Sequence, residues 1–222
     1  MSSAMVGLII RGIGETLLMV LASTALGYVF GLPLGVALTV TDKNGIKPNA
    51  TVYRILDVIV NIGRSIPFII LLILIIPFTK MLVGKSYGTI ATIVPLTVSA
   101  IPFIGRMVES SLKEVDHGVI EAAQSMGAPT LTIIIKVLIG ESRISLITGA
   151  TIAIGTIIGY SAMAGTVGGG GLGDIAIRYG YYRYESAIMF TTVIIIVIIV
   201  QLFQYTGNTL ARKLDKRNRE IE

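Results

Sequence analysis

The sequence predicts an all-α membrane protein, and three observations lead there. Only 14 % of the 222 residues are charged while 53 % are hydrophobic, against about 25 % charged in an average soluble domain. Five long apolar stretches alternate with short polar segments, and a hydrocarbon core of about 30 Å takes roughly 20 apolar residues per helical crossing. Proline and glycine recur inside these stretches, which a membrane tolerates because neighbouring helices satisfy the freed backbone groups.

The spans follow in order. The first covers about 14–40 and has no removable leader ahead of it: no basic segment precedes a short apolar run with a small-residue cleavage site. The second, 58–78, is the least regular. Its apolar run from Pro67 to Pro77 is too short to cross alone and borrows a stretch containing Asn61, Arg64 and Ser65. The third, 90–108, carries Pro95 and Pro102. The fourth, 146–167, carries Gly155 and Gly159, spaced like Gly27, Gly31 and Gly35 of the first span for close approach of helix backbones. The fifth, 187–210, contains the β-branched run Val193 to Val200, which reads as a strand on propensity but cannot leave an open edge in lipid. With no linker or repeat, residues 1–222 form a single transmembrane domain.

Whole function classes drop out. Without cysteine there are no disulfides or thiolate sites. His117 is the only histidine and lacks partners for a metal or a proton relay. Gly168, Gly170 and Gly173 match a dinucleotide pattern formally, but no βαβ unit surrounds them, and no G-x-x-x-x-G-K-[ST] loop occurs. The expectation is a chain without catalytic residues, cofactor or metal; Gly165 to Gly173 is expected to be a tight re-entrant or outer loop, the alternative being a loop that moves as an outer gate opens. The net charge of +5 reflects placement rather than affinity for nucleic acid. Thirteen of the eighteen Lys and Arg fall on one side if the C-terminus is inside, and five on the other (Arg11, Lys80, Lys85, Arg178 and Arg183). That bias orients the N-terminus outside. Asn49-Ala50-Thr51, a glycosylation acceptor pattern, then falls inside and is set aside. The tail from Arg212 to Glu222 mixes signs and is expected to be drawn to anionic membrane lipid at about 1 kcal/mol per basic residue near the surface.

The longest loop, 114–140, is then cytoplasmic. His117 to Met126 predicts a short helix with Asp116 as N-cap, Gly127 as a left-handed stop and Pro129 at the first position of a second helix. Val119, Ile120, Ala123 and Met126 recur at three and four, giving an apolar face beside Glu121 and Gln124. Such a helix-turn-helix suits docking in a partner's groove.

These residues carry a resemblance. Glu121-Ala122-Ala123, three residues, Gly127, then nine residues to Val137 resembles the signature loop of ABC importer permeases, where the loop inserts into a cleft of the cytoplasmic ATPase subunit. That family ends the motif with Leu-Pro where this chain has Ile139-Gly140, so a glycine must permit the bend into the fourth span. The segments 61–80, 93–109 and 159–180 resemble the permease subunit of methionine ABC importers. The resemblance implies a type I ABC importer permease fold in a bacterial cytoplasmic membrane. It also implies a second copy of the chain, two ATP-binding subunits, an extracytoplasmic substrate-binding protein and methionine as solute. Its ATPase-coupling residues would be Glu121, Ala122, Ala123 and Gly127.

Other candidates come from the spans. Arg64, an ionisable residue within a span, either snorkels to the headgroups or pairs with Asp57 or a neighbouring subunit. Tyr160, Ser161 and Met163 offer a ring, a hydroxyl and a soft thioether for an amphipathic solute; packing alone is the equal alternative. Another small solute, or a self-sufficient secondary transporter or channel, remains open.

Overall fold

In a computed structural model, residues 3–215 are described, and every regular element among them is helical. The tail residues Lys216, Arg217 and Arg219, counted above for orientation and lipid attraction, lie outside them. Helix α1 runs Ser3–Thr41, α2 Ala50–Ser65, α3 Phe68–Leu74, α4 Ile76–Val83, α5 Thr89–Leu112 and α6 His117–Ser125. A single turn, α7 Thr130–Thr132, passes through a π-helical stretch, Ile133–Leu138, into α8 Ile139–Glu141. Then come α9 Arg143–Ala164, a 3₁₀ turn Gly165–Val167, α10 Gly171–Ile175, a second π-helical stretch Ala176–Tyr181, and α11 Ser186–Leu214.

Four helices are long and apolar enough to cross a membrane: α1, α5, α9 and α11. The expected second span is a broken one: α2 and α3 pass the same test together as a bent pair, meeting at 99°, and make a fifth crossing when counted as one span. Pro67 lacks an amide hydrogen and keeps Ile66 out of the helical region, so the ladder stops at Ser65. The helix that carries the first span starts at Ser3, eleven residues before the expected Gly14. The Arg11 guanidinium bonds Glu15 at 2.8 Å one turn on, a spacing that supports helix.

The fold groups into two compact units, each discontinuous in sequence. The first combines residues 1–27, 66–100 and 153–204; its core includes the fully buried Met19, Leu96, Ile157, Ile158 and Leu172. The second combines 28–65, 101–152 and 205–222, around Leu38, Ile104, Leu112, Ile133 and Leu138. Within the second unit the expected glycine contact is present: a Cβ on Gly35 would lie 2.5 Å from the Gly105 carbonyl oxygen, so α1 and α5 touch backbone to backbone. In the first unit a Cβ on Gly155 would meet only the Gln204 side chain, at 4.0 Å, and one on Gly159 would meet nothing within 4 Å, so no backbone comes close along that face.

Candidate functional site

The loop 114–140 belongs to the second unit. Its first helix forms as the residues predict: the Asp116 carboxylate accepts from the Gly118 amide at 2.7 Å, capping α6. Gly127 adopts φ 74°, its amide donates to the Gln124 carbonyl at 2.9 Å and the Ala128 amide donates to the Ala123 carbonyl at 3.1 Å. That pair of bonds is the Schellman arrangement, and it needs a residue free to enter the left-handed region. The second helix departs from expectation. Pro129 is extended (φ −66°, ψ 149°) and precedes the helix instead of starting it, and α-helix gives way to π-helix after one turn. The bend into α9 falls at Ser142 (φ −86°, ψ 7°) rather than at Gly140, which stays inside α8. The Ser142 hydroxyl donates to the Leu138 carbonyl at 2.6 Å, closing the break.

The expected apolar face of α6 divides in two. Ala123 is buried and Ile120 half-buried against the second unit, whereas Val119 and Met126 are exposed. Met126 is 80 % exposed, and Leu131 and Ile135 beyond the turn are 66 % and 54 % exposed. Glu121 and Ala122 are exposed as well, and Glu121 has no ion pair among the described residues. A cleft of about 860 Å³, lined by Asp116, Val119, Lys136, Glu141 and Arg143 among others, opens beside α6.

The same unit holds a charge network that inspection of the sequence overlooked. Glu109, its side chain only 3 % exposed, accepts from Arg106 at 2.6 Å and Lys113 at 2.8 Å, and from the Tyr53 hydroxyl at 3.2 Å. Arg106 also donates to Asp57 at 2.5 Å and to the Asn61 side-chain oxygen at 3.0 Å. Lys113 reaches Asp42 at 2.6 Å. These contacts tie α2, the segment after α1 and the end of α5 together, just ahead of α6. The readable signal was Arg106, Glu109 and Lys113 at spacings of three and four on one helix face.

Outside the spans, burial would raise the Asp42 carboxyl, but hydrogen bonds from Lys113 and the Asn44 amide outweigh it and hold the group below its ordinary range. Burial would likewise lower Lys113, and its bonds to Asp42 and Glu109 raise it well above the ordinary lysine value instead. The depressed Asp42 contributes stability that is complete above its unfolded value, about 3.9, and is lost as pH falls through its lower folded value. The raised Lys113 contributes fully below about 10.4 and fails only as pH climbs through its folded value. The melting difference between wild type and Lys113→Met should therefore stay constant from about pH 5 to 9. A difference that drifts across that window would show that other groups control this tie.

Arg64 is exposed at the C-terminal end of α2. Of the alternatives for it, pairing with Asp57 is not seen: Asp57 is held by Arg106 and by the Asn61 amide at 3.0 Å. In the first unit, the Tyr160 ring stacks on Phe68, centroids 4.7 Å apart and planes 1° from parallel. Ser161 is buried and donates to the Ile158 carbonyl at 2.7 Å, so its hydroxyl is spent inside its own helix. Met163 is half-exposed. Only Tyr160 and Met163, three apart, share a helix face.

The glycine loop is held from two sides in that unit. The Glu15 carboxylate accepts from the Gly171 amide at 2.9 Å, and the Thr16 hydroxyl accepts from the Leu172 amide at 2.9 Å. Thr92 donates to the Gly169 carbonyl at 3.3 Å. It is a tight loop, as expected, and no strand flanks it among the described residues.

Comparison with known proteins adds to this geometry. The family model for the binding-protein-dependent transport system inner membrane component matches residues 27–220. The probable D-methionine transport system permease protein MetI of Vibrio cholerae is 50 % identical over 210 residues, covering 95 % of this chain and 93 % of the relative. The D-methionine transport system permease protein MetI of Escherichia coli K12 is 53 % identical over 165 residues, 74 % and 76 % of the two chains. A solved structure described as an inward-facing conformation of the MetNI methionine ABC transporter superposes with a TM-score of 0.96 at 50 % identity, covering 97 % of this chain and all of that one.

Proposed function

The chain belongs to the family of binding-protein-dependent transport system inner membrane components, and from that membership we propose that it is the permease subunit of a methionine importer. It is a multi-pass inner-membrane protein. Two copies form the pathway, two ATP-binding subunits hydrolyse ATP, and an extracytoplasmic binding protein delivers methionine. The whole chain acts as one permease domain with its N-terminus outside, an orientation supported by the thirteen-to-five distribution of Lys and Arg.

Coupling runs through Glu121, Ala122, Ala123 and Gly127. One observation carries this reading: a nine-residue helix, rigidly capped at both ends, leaves Met126 80 % exposed. A large side chain so exposed on a rigid, anchored element fits insertion into a partner's cleft. Closure of the ATP-binding subunits would move the two α6 helices as rigid bodies and switch which side of the pathway is open. Reversing a 1:99 population takes about 5.5 kcal/mol, which a capped helix can transmit and a slack loop cannot. Tyr160 and Met163 on α9 line the solute path; Arg64, exposed at the end of α2, is a separate pathway candidate. Support comes from the exposure of Met163 and from the Tyr160 ring one turn before it on the same helix.

The test is reconstitution of the purified complex in liposomes. Methionine uptake should require both ATP and the binding protein; uptake by this chain alone, or uptake only of a different solute, would overturn the reading. Met126→Glu and Glu121→Ala should each weaken retention of the ATP-binding subunits about tenfold, equivalent to about 1.4 kcal/mol, with the variants still monodisperse. Gly127→Pro should do the same by removing a cap donor and forbidding φ 74°. Full coupled transport by all three variants would remove α6 from the mechanism.

A further inference from the structure

Four of the nine tyrosines fall within six residues, Tyr179, Tyr181, Tyr182 and Tyr184, and the chain has no tryptophan. Three of them are strongly exposed: Tyr181 at 62 %, Tyr182 at 67 % and Tyr184 at 87 %. Tyr184 holds φ 57°, the only non-glycine residue with positive φ among those described. A bulky side chain there is a strained outlier, and little among the described residues covers its ring in return. Tyr181 and Tyr182 pack edge to face at 5.3 Å, and the Arg183 guanidinium lies 4.7 Å from the Tyr179 ring centre. Arg178 is engaged by Asp174, whereas Arg183 has no ion pair among the described residues. The cluster ends where α11 begins at Ser186, and only 17 % of the most apolar part of that helix is buried.

We infer that residues 179–184 form a lipid-headgroup anchor, with the tyrosines in the interfacial layer and Arg183 binding the phosphate of an anionic phospholipid. Continuity with α11 decides between lipid and protein as the occupant. A helix whose surface is mostly uncovered and apolar faces hydrocarbon, so the residues at its end lie at headgroup depth. Tyrosine is enriched there because its ring is apolar and its hydroxyl wet. In most membrane chains tryptophan shares that layer; here tyrosine must fill it. The stacked Tyr179 ring orients a guanidinium whose planar donors match phosphate oxygens. The inference is independent of which solute is carried and of which leaflet receives this end of α11.

The chain has no cysteine, so Tyr182→Cys provides a labelling site unique within it. In the assembled transporter in nanodiscs, a nitroxide at that position should report headgroup depth, accessible to both oxygen and a water-soluble nickel chelate. Full nickel exposure, lost only when the binding protein is added, would overturn the proposal and assign the cluster to a protein contact. Retention of phosphatidylglycerol by the purified complex should fall about fivefold in Arg183→Gln, the equivalent of about 1 kcal/mol for a basic residue near an anionic surface. Arg183→Lys should keep part of it. Unchanged retention in Arg183→Gln would refute the phosphate site even if the depth result stands.

Discussion

Arg106→Ala is expected to destabilise the protein by about 3–5 kcal/mol, the usual cost of stripping one partner from a buried ion pair. Three carboxylates, Asp42, Asp57 and Glu109, share two cations, Arg106 and Lys113. The network therefore already carries one excess negative charge. Removing Arg106 doubles that excess and takes the shortest donor from Glu109, which is 97 % shielded from solvent. Glu109→Gln runs the other way: it removes the excess charge, leaves each cation with a carboxylate, and should cost about 1 kcal/mol, the price of a weakened hydrogen bond. In the double variant Arg106→Ala/Glu109→Gln part of the loss should return, because the stranded carboxylate is gone. Thermal unfolding of the purified complex reads all three. Equal, small effects from both single changes would mean that the network contributes no stability.

Gly173→Ala is the second large effect, and it acts through backbone contact alone. A Cβ at Gly173 would lie 2.4 Å from the Ala162 carbonyl oxygen and 2.5 Å from its Cα, while one at Gly165 would lie 2.3 Å from the Asp174 nitrogen. These are main-chain atoms, so no rotamer relieves the clash; the end of α9 and the start of α10 must separate. Overpacking of this kind costs about 1–3 kcal/mol and sometimes more. The movement would also strain the Glu15 and Thr16 bonds to the glycine loop. Gly7→Ala is the control, since nothing lies within 4 Å of that position and alanine raises helix propensity by about 1 kcal/mol. Unfolding midpoints that fall for Gly173→Ala and hold or rise for Gly7→Ala would separate close approach from simple glycine replacement.

Much of the site was legible because its signals are local. Asp116, Gly127 and the spacing of Ile120 and Ala123 act within ten residues, and capping depends on little else. Pro129 misled by one position because proline fits both just before and just inside a helix start. The π-helical stretch Ile133–Leu138 had no local mark; its Ile and Val residues satisfy either winding. Pairing of Arg64 with Asp57 was one alternative to snorkelling, and Asp57 was claimed instead by Arg106, 49 positions away. Ser161 looked like a pathway hydroxyl until its helix carbonyl took it.

What the sequence determined by itself was the solvent and the local stops: apolar length demands helices in lipid, and caps, prolines and charge bias depend only on near neighbours. Tertiary structure alone decided which charges meet and which side chains stay bare. The five-residue ion network and the exposed Met126 depend on segments far apart in sequence, and contact energy, unlike helical periodicity, has no fixed spacing along the chain.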